Sequence, residues 1–248
     1  DGELSRIQVK TITAPDSQLI TFYTALYHCM IHPSLASDAT GTYRGRDQKI
    51  HQKNHKTYHV FSLWDTYRAL HPLLSLIDKQ RTRDFILTML DQYEEGGRLP
   101  VWELGSCETN CMIGFHSVPV ILDAVVQGVY FSKEEQERLW CAVKHSSDYK
   151  ESSYEYHIPI ASELLTLYGL QLGYIDVLNQ SESVSKTLEY AFDDACVAKL
   201  GRLWGYNVEA EKYENRSQRW RGLWDADTKS FRPRLNGMFL EPYYLNEV

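Results

Sequence analysis

Apolar side chains recur at helical spacing along most of this 248-residue chain. In the segment QLITFYTALYHCMI, residues 18–31, the apolar face is formed by Leu19, Ile20, Tyr23, Leu26, Tyr27 and Met30. Asp16 precedes this segment as a candidate N-terminal cap, and Pro33 follows it as a helix-breaking residue. The pattern therefore predicts a first helix that starts after Asp16 and ends before Pro33.

The same spacing predicts further helices, and turn signals separate them. Gly96-Gly97 is a stop signal for one helix. Ser132-x-x-Glu135 is a capping box that opens another. The predicted helices cover residues 62–77, 79–95, 114–128, 133–147, 161–168, 183–201 and 206–222.

Helical spacing is absent from several segments, including residues 34–60 and the tail from Trp224. Residues 34–60 are polar and rich in tyrosine, and Asp38-Ala-Thr-Gly41 has the composition of a turn, so we predict an irregular hairpin there. The segment from Trp224 to Leu245 contains Pro233 and Asn236-Gly237, and we predict loop with little helix.

The order of these elements favours an all-α fold. Strands and helices do not alternate, so a parallel α/β sheet is not expected. No composition break marks a linker and no short repeat is visible, so residues 1–248 are treated as a single region. A helical barrel or toroid would place catalytic groups on the loops at one end. A plain helical bundle remains the alternative on the pattern alone.

Charge and composition narrow the class of function. The net charge is −7 with a pI near 5.7, and lysine and arginine are dispersed, which argues against a nucleic-acid partner. No apolar run approaches the roughly 18–20 residues that span a bilayer. Hydrophobic residues make up 43% of the chain, enough for a folded core. Aromatic residues reach 12%, and Tyr and Trp line wet pockets well.

The segment RLPVWELGSCETNCMIGFHSV, residues 98–118, carries the strongest candidate chemistry. Glu103 and Glu108 lie in a stretch without helical periodicity, and Trp102 offers a flat apolar face for a sugar ring. Glycosidic bonds are usually hydrolysed by two carboxyl groups, one of which protonates the leaving oxygen. The alternative is that these glutamates cap the following helix or form surface ion pairs.

A second candidate cluster lies in SLWDTYRALHPL, residues 62–73. Trp64 could stack on a sugar, and Asp65 and Arg68 could bind its hydroxyls. The alternative is structural, because Asp65 and Arg68 are spaced to form an ion pair on one helix face.

Histidines and cysteines give no complete metal pattern. His51, His55 and His59 have the spacing of a zinc site on a helix, but they fall in the segment predicted to be extended. Cys107 and Cys111 have no second pair, so a buried or half-exposed free thiol is expected there. No metal ligand is therefore assigned.

Several motifs in order resemble glycoside hydrolase family 92, the calcium-dependent exo-α-mannosidases. They are SLWDTYRALHPL, the segment from residue 98 to 118, ESVSKTLEYAFDDACVA and RPRLNG, with further similarity in TFYTALYHCMIHPSLASD and YRGRDQKIH. The similarity extends over nearly the whole chain and is weakest at residues 149–180.

The resemblance implies an inverting α-mannosidase with an (α/α)6 catalytic barrel. It implies that Glu108, in the ETNCMIG motif, is the general acid, and that Trp64, Asp65 and Arg68 lie in the mannose pocket. Trp102 and Glu103 are placed with them as substrate-binding residues. The expected substrate is terminal mannose of N-glycans, with α-1,2 linkage favoured. A secreted, periplasmic or cell-surface location follows from the family alone.

The resemblance is incomplete in one respect. The family's HGNEP-type segment, associated with the metal, and its GNDD-type segment, which carries the general base, do not occur in this sequence. Asp193-Asp194 is a different motif and is not assigned as the base. We therefore expect an amino-terminal and central portion of the barrel, without the family's β-sandwich, with calcium ligands outside the chain. The alternatives are a catalytically silent carbohydrate-binding fragment and another (α/α)-barrel glycosidase or lyase.

Overall fold

A computed structural model describes residues 2–10, 13, 15–148, 166–167, 170–171, 173–178 and 181–242. The chain divides into two compact units. The first contains residues 1–109 and 123–130, and the second contains residues 110–122 and 131–248. Among the described residues, no helix combines the length and the apolar content that crossing a membrane requires.

Helices account for most of the regular structure, which confirms the helical class. The α-helices are α1 (Asp16–His28), α2 (Leu63–Thr66), α3 (Leu70–Ile77), α4 (Lys79–Gly96), α5 (Ser117–Val126), α6 (Lys133–Ser147), α7 (Ser183–Trp204) and α8 (Asn207–Arg216). Short 3-10 helices cover Leu4–Arg6 and Ser217–Leu223. The closed (α/α)6 arrangement stays a prediction.

Short antiparallel strands connect the helices. They are β1 (Ser34–Leu35), β2 (Thr42–Arg44), β3 (Ile50–Gln52), β4 (Tyr58–His59), β5 (Phe61–Ser62), β6 (Trp102–Leu104), β7 (Cys107–Glu108), β8 (Thr166–Leu167), β9 (Leu170–Gln171), β10 (Trp224–Asp225), β11 (Ser230–Phe231), β12 (Arg234–Leu235) and β13 (Met238–Phe239). Strand β1 pairs with β4 and β2 with β3, β5–β6–β7 form one sheet, and the last six form three hairpins.

The first helix is shorter than its pattern predicts. It begins at Asp16, with Pro15 rather than Asp16 in the capping position, and ends at His28. Beyond His28 the chain makes tighter i to i+3 bonds, from the Met30 N–H to the Tyr27 carbonyl at 3.0 Å and from the Ile31 N–H to the His28 carbonyl at 3.2 Å. Such bonds satisfy the last carbonyls of a helix without continuing it.

The hairpin predicted in residues 34–60 is present, but its turn lies elsewhere. Strands β2 and β3 are joined through residues 45–49, where the Gly45 N–H donates to the Lys49 carbonyl at 2.9 Å. The predicted turn at Asp38 connects β1 to β2 instead, with the Asp38 carboxylate accepting the Thr40 and Thr42 N–H groups. A turn signal marks a reversal but does not specify which strands pair across it.

The single helix predicted for residues 62–77 is two helices. Ala69, at φ −146°, separates α2 from α3. Pro72 explains the break, because a proline lacks a backbone N–H and fits best in the first turn of a helix. In α3 it occupies that first turn. The prediction for α4 is confirmed: Asp78 caps it by accepting the Arg81 N–H, and Gly97 ends it at φ 78°.

The core of the first unit lies along α3, α4 and β5. Its fully buried side chains include Phe61, Leu74, Phe85, Ile86 and Met89. His71 is buried among them at 1% exposure, with its ring edge-on to Phe85 at 5.6 Å. Neither ring nitrogen of His71 has a hydrogen-bond partner among the described residues. Burial lowers its pKa from 6.5 to about 4, so the fold holds this ring neutral.

Replacement of His71 by leucine is expected to reduce the loss in free energy of unfolding that accompanies a fall in pH from about 6.5 to 4. The unfolded chain takes up the imidazole proton near pH 6.5 and the folded chain only near pH 4, so wild-type stability falls between these values. The loss amounts to about 3 kcal/mol and should be absent in H71L. Urea midpoints from pH 7.5 to 4 measure it, with exposed His28→Leu as control. Parallel wild-type and H71L curves would contradict this account.

In the second unit, α6 matches its prediction. The Ser132 hydroxyl accepts the Glu135 N–H and the Glu135 carboxylate accepts the Ser132 N–H, which forms the predicted capping box. Helix α7 also begins at the predicted residue. Helix α8 ends at Arg216, and the predicted remainder to residue 222 is 3-10 helix. The short helix predicted at 161–168 is wrong at Thr166–Leu167, which pairs with Leu170–Gln171, and otherwise lies outside the described residues.

Asp193 and Asp194 are buried and bound within this unit. Asp193 accepts the Phe115 N–H at 2.7 Å and contacts His116 Nδ1 at 2.7 Å. Asp194 accepts two hydrogen bonds from the Arg216 guanidinium, at 2.7 Å and 2.5 Å. Asp193 is 0% exposed and Asp194 is 1% exposed. Their carboxylates therefore bind groups inside the unit and have no surface with which to contact a substrate.

The tail after Trp224 is two short hairpins with no helix among its described residues, as predicted. Asp225 accepts a hydrogen bond from Arg232 at 2.8 Å. The Arg232 hydrogen bond lowers the pKa of Asp225 to about 2. This charged pair links the two ends of the β10–β11 hairpin and so stabilises it.

Candidate active site

A three-stranded antiparallel sheet brings together the two segments that the sequence marks for chemistry. Strand β5 pairs with β6, with Ser62 opposite Trp102. Strand β6 pairs with β7, with Glu103 opposite Glu108. Helix α2 follows β5 directly and carries the tryptophan and aspartate of the SLWDTYR segment. Within the first unit, the pairing therefore joins the segment of Trp64, Asp65 and Arg68, the tryptophan cluster, to the strands that carry Glu103 and Glu108, the acid hairpin.

Strands β6 and β7 are joined by the two-residue turn Gly105-Ser106. Both residues have positive φ, 55° and 69°, which is the combination that a type I′ hairpin turn requires. Two hydrogen bonds hold Ser106 in this conformation: its N–H donates to Glu103 Oε1 at 2.5 Å, and its hydroxyl donates to the Arg44 carbonyl at 2.6 Å. The stretch that lacks helical periodicity is therefore a tight hairpin with one glutamate on each strand.

Glu108 is half-buried, and both of its carboxylate oxygens accept backbone hydrogen bonds. Oε1 accepts the Trp102 N–H and Oε2 accepts the Val101 N–H, each at 2.9 Å. The donors are Val101, just before β6, and Trp102, its first residue, and neither lies in the helix that follows Glu108. The alternative that Glu108 caps that helix is therefore wrong. The bonds fix the direction of the carboxyl group while part of the side chain stays accessible.

Glu103 has no accessible surface. Its Oε2 accepts the Val60 N–H at 2.9 Å, which holds Val60 at φ 65°, a rare conformation for a β-branched residue. Burial raises the pKa of Glu103, and the N–H groups of Ser106 and Val60 act in the opposite direction. Glu103 lies opposite Glu108 on the paired strand, and its carboxyl has no surface with which to contact a sugar.

The tryptophan cluster is partly open to solvent. The Arg68 guanidinium lies 4.8 Å from the ring centroid of Trp64 and 4.8 Å from that of Tyr67. Asp65 is exposed, lies in the first turn of α2 and accepts a hydrogen bond from the Ser62 hydroxyl. Trp64 as a whole is half-buried, and its Nε1 is buried without an acceptor among the described residues. An exposed carboxylate and guanidinium beside a half-buried indole ring are group types suited to sugar hydroxyls and faces.

Hydrogen bonds hold both the backbone N–H and the backbone carbonyl of Trp102. Its N–H donates to Glu108, as described above, and its carbonyl accepts both the N–H of Thr109 at 3.1 Å and the Thr109 hydroxyl at 2.8 Å. These bonds hold the backbone of Trp102 against Glu108 and Thr109, and the half-buried side chain remains a candidate for stacking on a sugar.

Sequence reasoning did not single out Arg46 and Glu95. The Glu95 carboxylate accepts the Tyr43 hydroxyl at 2.5 Å and the Arg46 N–H at 2.9 Å. Arg46 Nη1 donates to the Arg98 carbonyl at 2.7 Å. The sequence feature that could have indicated this contact is Gly96. Any larger residue there would place a Cβ 2.7 Å from Arg46 Nε. A glycine beside charged residues can mark a close approach of this kind.

The described residues contain no cluster of the side chains that most often hold a metal ion. Among them, no three His, Cys, Asp or Glu side chains converge to hold a metal. His51 contacts Asp47 at 2.9 Å and His55 contacts Asp91 at 2.8 Å, both through Nε2. Cys107 and Cys111 are thiols, as expected, but they are exposed rather than buried or half-exposed.

Comparisons with known proteins agree with the motifs. The chain matches the family model "Glycosyl hydrolase family 92 catalytic domain" over residues 1–247. A solved family GH92 α-mannosidase from Bacteroides thetaiotaomicron has a TM-score of 0.85 and 36% identity, and the match covers 98% of this chain and 31% of that one. The same enzyme has also been solved in complex with mannoimidazole.

Two further relatives show similar coverage. A family GH92 inverting mannosidase from Bacteroides thetaiotaomicron VPI-5482 has a TM-score of 0.84 and 25% identity, over 98% of this chain and 32% of that one. An uncharacterized secreted glycosidase from the fungus Arthroderma benhamiae is 26% identical over 258 residues, which are 98% of this chain and 28% of the relative. This chain thus belongs to glycosyl hydrolase family 92, and it spans part of the length of its relatives.

Proposed function

We propose that this chain supplies the proton donor, Glu108, of an exo-acting α-mannosidase that removes terminal mannose from N-glycans with inversion. The supporting observation is the half-buried Glu108 carboxyl, oriented by two backbone N–H groups on a hairpin that pairs with the start of the tryptophan cluster. Membership of the family and its mannosidase relatives favour mannose as the sugar. A secreted, periplasmic or cell-surface location is part of this proposal and is in line with the secreted fungal relative.

In the proposed reaction, Glu108 donates its proton to the glycosidic oxygen as the bond to the anomeric carbon breaks. The rest of the glycan departs as an alcohol, and a water, which gives up a proton to a general base, attacks the opposite face of the anomeric carbon. Asp65 and Arg68 bind mannose hydroxyls, and Trp64 and Trp102 provide stacking surfaces. The fixed direction of the Glu108 carboxyl lowers the entropic cost of placing the proton.

The general base must be another carboxyl group. Inversion requires two carboxyls about 6.5–9.5 Å apart, so that a water fits between the base and the sugar. Glu103 does not meet this requirement: it has no accessible surface and lies directly across the strand from Glu108, where opposed Cβ atoms are only about 4.5–5.5 Å apart. We propose that the base and the calcium ligands belong to other parts of the enzyme's polypeptide.

A substrate panel tests the proposal on the full-length polypeptide that contains this chain. We expect release of mannose from α-1,2-mannobiose, slower release from the α-1,3 isomer and none of glucose from α-glucosides. Proton NMR of the first product should show β-mannose, and chelation should abolish turnover until calcium is restored. Preferred cleavage of the α-glucoside, or α-mannose as first product, would contradict the assignment.

A further inference from the structure

The buried carboxyl of Glu103 bonds to two separate segments of the first unit. Its Oε1 accepts the Ser106 N–H at 2.5 Å, and its Oε2 accepts the Val60 N–H at 2.9 Å. Ser106 lies in the turn of the acid hairpin, directly before β7, and Val60 lies directly before β5, from which the chain continues into α2. One side chain with no accessible surface therefore links the turn of the acid hairpin to the start of the segment that carries the tryptophan cluster.

Both donors have a backbone conformation that residues other than glycine rarely adopt. The φ angle is 69° at Ser106 and 65° at Val60. This conformation is unfavourable because it brings Cβ close to the following carbonyl oxygen, and a β-branched residue such as Val60 is a clear outlier there. Such residues persist only where the surrounding structure imposes the conformation, and they concentrate at functional sites. In this unit, the Glu103 carboxyl holds the N–H of both residues.

The two attachment points lie close in the chain to the residues proposed to act on the substrate. Glu108 is two residues after Ser106, at the end of β7, and Trp64 is four residues after Val60, in α2. Strand pairing fixes the register of β5, β6 and β7, but it does not fix the backbone angles of the residues beside the strands. Those angles set the direction in which the chain enters β5 and β7, and the bonds to Glu103 hold them.

We propose that Glu103 is a positioning residue that sets the place of the Glu108 carboxyl relative to the tryptophan cluster, by holding Val60 and Ser106 at positive φ. The inference rests on the proposed function of Glu108 as general acid. Glu103 does not touch the sugar and acts through the two segments that do. Proton transfer depends steeply on position, since a misplacement of about 1 Å can cost roughly a hundredfold in rate. Loss of either bond to Glu103 should therefore slow the step in which Glu108 gives up its proton.

Two substrates measure this role in the full-length polypeptide. In Glu103→Gln the carboxamide has one oxygen acceptor and presents an NH2 group to the other N–H, so one of the two bonds is lost. We expect kcat for an α-mannobioside, which needs the acid, to fall about tenfold relative to kcat for a dinitrophenyl mannoside, which does not. This ratio of kcat values does not depend on the fraction of enzyme that is folded, so partial unfolding cannot produce the result. Asp84→Asn is the matched control, because it neutralises another buried carboxyl of the first unit, one that accepts the Gln80 amide at 2.9 Å, and should keep the wild-type ratio.

Glu103→Asp gives a second test that keeps the charge. The aspartate side chain is one methylene shorter, so it should not span both N–H groups and should lower the ratio of kcat values as E103Q does. A ratio within about twofold of wild type in E103D would overturn the proposal, since the charge rather than the reach of Glu103 would then matter. So would a wild-type ratio in E103Q. The glutamine variant of Glu108, assayed on the same two substrates, tests the general acid separately. A lowered ratio there with a wild-type ratio in both Glu103 variants would overturn only the positioning role.

Discussion

Replacing Glu108 with glutamine is expected to slow hydrolysis of an α-mannobioside by about 10²–10⁴-fold, the usual contribution of a positioned general acid. Glutamine preserves the size of the side chain and one oxygen acceptor but carries no transferable proton. The loss should appear in kcat and in kcat/KM, because protonation of the leaving oxygen occurs only in the transition state.

The leaving group separates this effect from damage to the hairpin. A dinitrophenyl mannoside departs without protonation, so the variant should retain most of the wild-type rate with that substrate. Thr109→Val serves as the matched control, because it removes a hydrogen bond to the Trp102 carbonyl but leaves the acid intact. Equal losses with both substrates would point to a disordered hairpin. A wild-type rate with the mannobioside would show that Glu108 is not the proton donor.

Removal of Asp194 is expected to have the largest effect on stability. Asp194 and Arg216 are buried at 1% and 5% exposure, and the guanidinium donates two hydrogen bonds to this carboxylate. Arg216 also contacts Asp148 at 2.7 Å and the Ser147 carbonyl at 2.9 Å. In Asp194→Ala the buried cation loses its fully buried partner, and breaking such a pair costs about 3–5 kcal/mol.

Hydrogen–deuterium exchange of the α7 and α8 peptides in the full-length polypeptide measures this loss locally, since exchange reports the opening free energy of each region. Glu214→Ala provides the comparison: it breaks an ion pair with Arg202 in which both side chains are about half exposed, and the expected cost is below about 1 kcal/mol. If both variants accelerate exchange to the same small extent, the buried pair does not stabilise this unit.

Much of the local structure follows from the sequence. Helices α4 and α6 begin and end close to their predicted residues, because a capping aspartate, a capping box and a terminal Gly-Gly act over a few neighbouring residues. The helix from Ser183 was predicted equally well at its start. The sequence also marked Glu108 and the tryptophan cluster, and its motifs identified the family that the comparisons confirm.

Errors arose where a local signal had more than one tertiary outcome. The turn at Asp38 was recognised, but strand pairing placed the hairpin turn at residues 45–49. The helix at residues 62–77 was predicted as continuous, although Pro72 restarts it after Ala69. The acidic segment has too few residues to show strand periodicity, so its hairpin became visible only through the pairing of β5, β6 and β7.

By itself, the sequence determined the helical class, the family and the two segments that carry the chemistry, since these depend on periodicity and on motifs of adjacent residues. The family resemblance favoured Glu108 over Glu103 as the acid, but only the tertiary structure showed how the surroundings of the two glutamates differ. Burial and strand pairing place Glu103 out of reach and leave Glu108 accessible, and both effects depend on residues distant in the chain.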